Sequence, residues 1–146
     1  MVLTPHAGEL AALLASRGED VDREAVEAEP LRWARRAQAL TGATVLLKGA
    51  ATVVVGPQGP AYAQADAPSW LGTAGAGDVL AGLLGAMLAA RAEEVVATPG
   101  LAARVAAAAA LVHGRAAERA NPGGPVGATD VAEALAGTVA GLLASR

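Results

Sequence analysis

The chain predicts an α/β fold, and two observations carry that prediction. Short apolar runs bounded by turn residues, at Ala43–Leu47, Val53–Val55 and Ala61–Ala63, have the pattern of strands. Segments with apolar residues at helical spacing stand before and after those runs. Three or four short strands make a small sheet, and the chain opens on an apolar strand end. It therefore reads as the second half of a larger domain, spanning residues 1–146.

The elements follow in order. Met1-Val2-Leu3 fits the end of a strand. Thr4-Pro5 predicts a helix start, with Thr4 as N-cap and Pro5 at the first helical position. Leu10, Leu13 and Leu14 give that helix a buried face, and Glu9 reads as an ordinary first-turn acid. Asp22 is suited to cap a short helix running through Glu29. Pro30 opens another, to about Leu40, with Arg32, Arg35 and Arg36 on its wet face and Gly42 as its left-handed cap. After the strands, a helix is predicted from the Asp78 region to about Ala90. Gly82 and Gly85 on it predict close packing against a neighbour. Arg91–Ala97 reads as a connector, and Thr98-Pro99 repeats the cap-plus-proline signal before a long Ala-rich helix, Leu101–Ala120. His113 within that helix reads as a packed side chain. Asn121–Pro125 breaks the helix, and Thr129 is the expected cap of the last one, Asp130–Ala144.

Composition narrows the function. Hydrophobic residues make up 53% of the 146, enough for one domain's core, but the core must be aliphatic because there is no Phe and only one Tyr. The net charge is −3, with no basic patch and almost no aromatic platform, which argues against nucleic-acid binding. No Cys is present, so disulfides and thiolate metal sites are excluded; a reducing, cytoplasmic setting is expected. The most apolar helical stretches are too short to span a bilayer, and no signal peptide is readable.

The chemistry concentrates in Thr73-Ala74-Gly75-Ala76-Gly77-Asp78, a Gly-rich turn that runs into an apolar helix. Unpartnered N–H groups and the helix dipole make such a helix start a phosphate socket, here Gly75, Ala76, Gly77 and Asp78. A carboxylate beside an anion socket has two readings. Asp78 is a general base that takes a proton from an attacking hydroxyl, or it is an ordinary first-turn Asp. Lys48 ends a buried strand beside Gly49. Most such lysines reach for solvent, but strand carboxyl ends are also where open α/β sheets hold ligands. His6 has the same two readings, a solvated helix-start residue or a hydrogen-bond donor to a ligand.

Five motifs, in order, carry a resemblance. They are Thr4-Pro5-His6-Ala7-Gly8-Glu9-Leu10, Leu47-Lys48-Gly49-Ala50-Ala51-Thr52, Gly75-Ala76-Gly77-Asp78-Val79-Leu80-Ala81-Gly82, Val112-His113-Gly114-Arg115-Ala116 and Ala128-Thr129-Asp130. Together they resemble the ADP-dependent NAD(P)H-hydrate dehydratases of the ribokinase-like superfamily. The resemblance implies a three-layer α/β/α fold, of which this chain is the C-terminal part. It implies phosphorylation of the ring hydroxyl of the S epimer of NADH hydrate or NADPH hydrate by ADP (or ATP), then loss of phosphate. By the same resemblance Asp78 is catalytic, and His6 and Asp78 contact the hydrate. Lys48, Gly49, Ala50, Ala51, Thr52 and Gly77 contact the nucleotide. Mg²⁺ is expected on the phosphates, with no protein ligand named, and self-association into a homo-oligomer is expected to cover the edge of a half-sheet.

Two departures keep alternatives open. Ala76 stands where the family usually carries Thr or Ser, which makes the turn look like the TxGAGD of sugar and vitamin-precursor kinases. Those kinases more often carry Asn where this chain has His6. The family's first strands and helices also have no counterpart here, which leaves a non-catalytic α/β fragment as a third reading.

Overall fold

Strand β2 (Thr44–Leu47) is buried at all four positions and sits between two helical layers. The computed structural model describes residues 1–145. In chain order the elements are β1 (Val2–Leu3), α1 (Ala7–Ala15), α2 (Arg23–Ala28), α3 (Pro30–Thr41), β2, β3 (Thr52–Val55) and β4 (Tyr62–Gln64). There follow a 3₁₀ turn at Ser69–Leu71, α4 (Ala76–Ala89), α5 (Ala92–Ala97), α6 (Leu101–Ala120) and α7 (Ala128–Ala144). The sheet order is β1-β2-β3-β4. β1 runs parallel to β2, while β2–β3 and β3–β4 are antiparallel.

Alternation along the strands divides the core. Val45 and Leu47, with Val53 and Val55 on β3, pack with Leu10, Leu14, Val26, Ala34 and Ala37 of α1–α3. Leu46 and Val54 face the other way, onto Leu80 and Leu84 of α4 and the Ala-rich face of α6. Helices therefore cover both faces of the sheet, the three-layer arrangement expected. A third cluster, Ala116, Ala117, Val126 and Val131, fastens α7 to α6.

Several helix boundaries differ from the sequence expectation. Helix α1 is capped by His6, not Thr4. The Pro5 carbonyl accepts from the Lys48 N–H at 2.8 Å, so strand pairing holds the chain extended past Pro5. His6 Nδ1 accepts from the Glu9 N–H at 3.1 Å, and Glu9 Oε2 accepts from the His6 N–H at 2.8 Å, a reciprocal capping box. Thr98 does not cap α6; it ends α5, a real helix where a connector was expected, and Gly100 (φ 80°) turns the chain into α6. The last helix starts one residue before Thr129, from Gly127, whose N–H donates to Asp130 Oδ2 at 2.8 Å. Gly82 and Gly85 do not mediate close packing. Among the described residues nothing lies within 4 Å of where a Cβ would stand at either, because the buried stripe of α4 runs through Leu80 and Leu84. Asp22 and Gly42 cap α2 and α3 as expected.

Two outcomes follow from this packing. Leu46 has no exposed surface and fills the α4–α6 side of the core. Leu46→Ala is expected to lower stability by about 2–5 kcal/mol, read from a denaturant midpoint. The second concerns charge at α1. The His6 N–H, with Lys48 and His6 nearby, holds the Glu9 carboxyl below its ordinary value of 4.5. A depressed carboxyl stabilises the fold above its unfolded value, and that contribution disappears as pH falls through the folded value. Glu9→Gln keeps the acceptor but removes the charge. Its Tm should lie below the parent's at neutral pH, and the two should converge in acid; a constant gap across the range contradicts this.

Candidate active site

The parallel pairing of β1 with β2 ends in one isolated bridge, His6 with Lys48. Both residues thus stand at the carboxyl ends of adjacent parallel strands, where an α/β sheet opens into a crevice. The crevice is a cavity of about 1000 Å³. His6 and the whole Lys48–Thr52 segment line it on one side, and Thr73, Ala76 and Gly77 on another. The amides of Gly49, Ala50 and Ala51 make no hydrogen bond among the described residues, so they remain free for a ligand.

The Gly-rich turn forms the far wall. Gly75 caps α4 in the left-handed region at φ 84°, and an added Cβ would stand 3.1 Å from Ala128 Cβ. Both facts require glycine there. The socket is narrower than four amides. The Ala76 N–H donates to the Thr73 carbonyl at 3.3 Å and the Asp78 N–H to the Gly75 carbonyl at 3.0 Å. The Gly77 N–H makes no hydrogen bond among the described residues. Lys48 Nζ would lie 3.1 Å from a Cβ at Gly77, so the ammonium rests against this stretch of backbone. An unpartnered amide at a helix N-terminus and a cation beside it form one anion-binding arrangement.

The sequence-predicted residues are not all on the cavity wall. His6, Lys48, Gly49, Ala50, Ala51, Thr52, Ala76 and Gly77 line it; Gly75 and Asp78 do not. Asp78 is exposed on the first turn of α4, one residue beyond Gly77, and its carboxylate has no hydrogen bond or ion pair among the described residues.

Other groups at the site carried weaker signals in sequence. Glu9 reaches Lys48, with Oε2 3.7 Å from Nζ, and its Oε1 is 3.4 Å from His6 Nε2. Its position three residues after a helix cap was the available clue. Arg23 and Glu27 line the α2 end of the cavity, paired at 2.7 Å one helical turn apart. Nothing in their local pattern distinguishes them from a solvated face. His113 is buried, as expected of a packed side chain, yet it also lines the cavity. The clue was a polar ring on an otherwise apolar helix face. Burial pushes the His113 imidazole below its ordinary value, opposed by the nearby Ala76 backbone.

Among the described residues no three His, Cys, Asp or Glu side chains come together as a site for magnesium or another metal.

Residues 1–136 match the family described as NAD(P)H-hydrate dehydratase. The ADP-dependent (S)-NAD(P)H-hydrate dehydratase of Neisseria meningitidis serogroup B is 37% identical over all 146 residues, which cover 41% of that protein. The bifunctional NAD(P)H-hydrate repair enzyme Nnr of Mycobacterium leprae is 44% identical over 125 residues, 84% of this chain and 23% of that one. In three dimensions the chain resembles the ADP/ATP-dependent NAD(P)H-hydrate dehydratase of Bacillus subtilis, co-crystallised with ATP and Mg²⁺. The TM-score is 0.73 over 95% of this chain and 47% of that one; at 22% identity the likeness is one of fold. The chain spans less than half the length of each of these relatives. With the ordered motifs, the three-layer core and a match running through residue 136, the chain belongs to the NAD(P)H-hydrate dehydratase family.

Proposed function

We propose that this chain works in the ADP- (or ATP-) dependent dehydration of the S epimer of NADH hydrate or NADPH hydrate, as the C-terminal part of the dehydratase domain. The observation that carries the reading is the approach of Lys48 Nζ to Gly77, 3.1 Å from where a Cβ would stand, inside one cavity lined by the Lys48–Thr52 loop. The Neisseria meningitidis relative is named as an ADP-dependent (S)-NAD(P)H-hydrate dehydratase, and the Bacillus subtilis structure as an ADP/ATP-dependent NAD(P)H-hydrate dehydratase.

In this reading Lys48 and the loop amides bind the nucleotide's phosphates, and Asp78 takes the proton from the ring hydroxyl as its oxygen attacks the terminal phosphorus. The phosphorus–oxygen bond to the leaving nucleotide breaks, releasing AMP from ADP. The Gly77 amide stabilises charge on the transferred group in a site partly shielded from water. The new phosphoester then leaves as inorganic phosphate while a proton departs from the adjacent ring carbon. The ring double bond returns, and with it NADH or NADPH. Exposure of Asp78 suits a group that meets its substrate at the cavity rim, with no competing cation. His6 faces the hydrate side in this reading, with Nδ1 engaged in the helix cap and Nε2 3.4 Å from Glu9 Oε1. Mg²⁺ travels with the nucleotide phosphates, which it commonly does with few protein ligands.

The direct test supplies NADH hydrate with ADP or ATP and follows recovery of the reduced-nicotinamide absorbance. No recovery, together with phosphorylation of a vitamin precursor, overturns the assignment in favour of a kinase. Asp78→Asn is expected to keep nucleotide affinity and to lose about 10²–10⁴ in turnover, the range of a general base. Lys48→Ala is expected to weaken ADP binding in calorimetry while leaving the far-UV spectrum unchanged.

A further inference from the structure

Both helical layers contribute to the cavity wall. Val26 of α2 packs on the α1–α3 side of the sheet and Leu80 of α4 on the other, and both line the cavity. His6 and Lys48 stand between these layers, at the ends of β1 and β2. At about 1000 Å³ the space is at the top of the range for a ligand pocket, about 300–1,000 Å³, which suits two ligands that meet rather than one.

Two wall residues carry a permanent positive charge, Lys48 and Arg23. Lys48 lies by Gly77, where the transferred phosphate is placed under the proposed function. Arg23 stands on the opposite layer, in the first turn of α2. Asp22 caps that turn by accepting from the Ala25 N–H at 2.8 Å, so the arginine is carried on an anchored element. Its side chain is 73% exposed, and Nε donates to Glu27 Oε1 at 2.7 Å. The two terminal nitrogens have no partner among the described residues. They form the planar fork that matches the oxygens of a phosphate.

We infer that Arg23 binds a phosphate group of the dinucleotide hydrate and so anchors the substrate that is not the phosphoryl donor. The inference rests on the proposed function. The reaction needs the hydrate's ring beside Gly77 and Asp78, while its phosphates lie beyond the ribose. A dinucleotide laid across the end of the sheet therefore presents its ring to α4 and its phosphates to α2. Both forms carry a pyrophosphate, and NADPH hydrate carries a further phosphate on its ribose; either is chemistry that a guanidinium fork recognises.

The test titrates the chain calorimetrically with NADPH and NADH, the products of the reaction, and with ADP as control. Arg23→Ala should bind NADPH about tenfold more weakly and ADP as the parent does. A loss with both dinucleotides assigns the pyrophosphate, and a loss with NADPH alone assigns the ribose phosphate; each bears the inference out. Glu27→Gln breaks the same ion pair but keeps the cation, and should bind NADPH at least as tightly as the parent. Unaltered dinucleotide affinity in Arg23→Ala, an equal loss for ADP, or an equal loss in Glu27→Gln overturns the inference and leaves the nucleotide reading standing. So does a parent chain that binds ADP but neither dinucleotide. A parent chain that binds none of the three removes both.

Discussion

One backbone hydrogen bond, from the Lys48 N–H to the Pro5 carbonyl, fixes the site. It carries the parallel pairing of β1 with β2 one step past the strands themselves, so that His6 and Lys48 meet across the bridge. Register in a sheet has period two, and a one-residue slip would send Lys48 to the opposite face. The bond also delays the start of α1 until His6, which turns that residue's Nδ1 into a helix cap. Chain path, helix origin and the direction of the ammonium are thus set together.

Charge at the crevice is balanced rather than uniformly positive. Lys48 has Glu9 on one side and the Gly77 backbone on the other. The half-exposed Glu9 pair is weak, as solvent-exposed pairs are; in the proposed reading a phosphate would therefore displace it at small cost. Arg23 and Glu27 pair in the same way at the α2 end. Both cations at the crevice are thus held by carboxylates through contacts that are weak in solvent.

Much of this was legible in the residues. The strands and the caps at Asp22 and Gly42 follow from period and turn chemistry that act locally, while the three layers were implied by the family resemblance. The Gly-rich start of α4 was legible too, but the amides of Ala76 and Asp78 are taken up within the turn, which local pattern did not disclose. What local reasoning missed depended on distant partners. Thr4-Pro5 looks like a helix start until β2 pairs with it, some forty residues later. Gly82 and Gly85 suggest close packing, yet the stripe set by Leu80 and Leu84 turns them outward. His113 was correctly read as packed, but its place on the cavity wall is decided by the crossing of α6 over the first turn of α4. Glu9 was read as ordinary because a capping acid and an acid that also contacts a cation share one local pattern.

The outward glycines of α4 leave a mechanical mark. Each lowers helix stability by about 0.5–1 kcal/mol relative to alanine, and neither gains a contact in return. The helix holds to the sheet through its Leu80 and Leu84 stripe, so alanine at 82 or 85 has room to strengthen it without disturbing that seam.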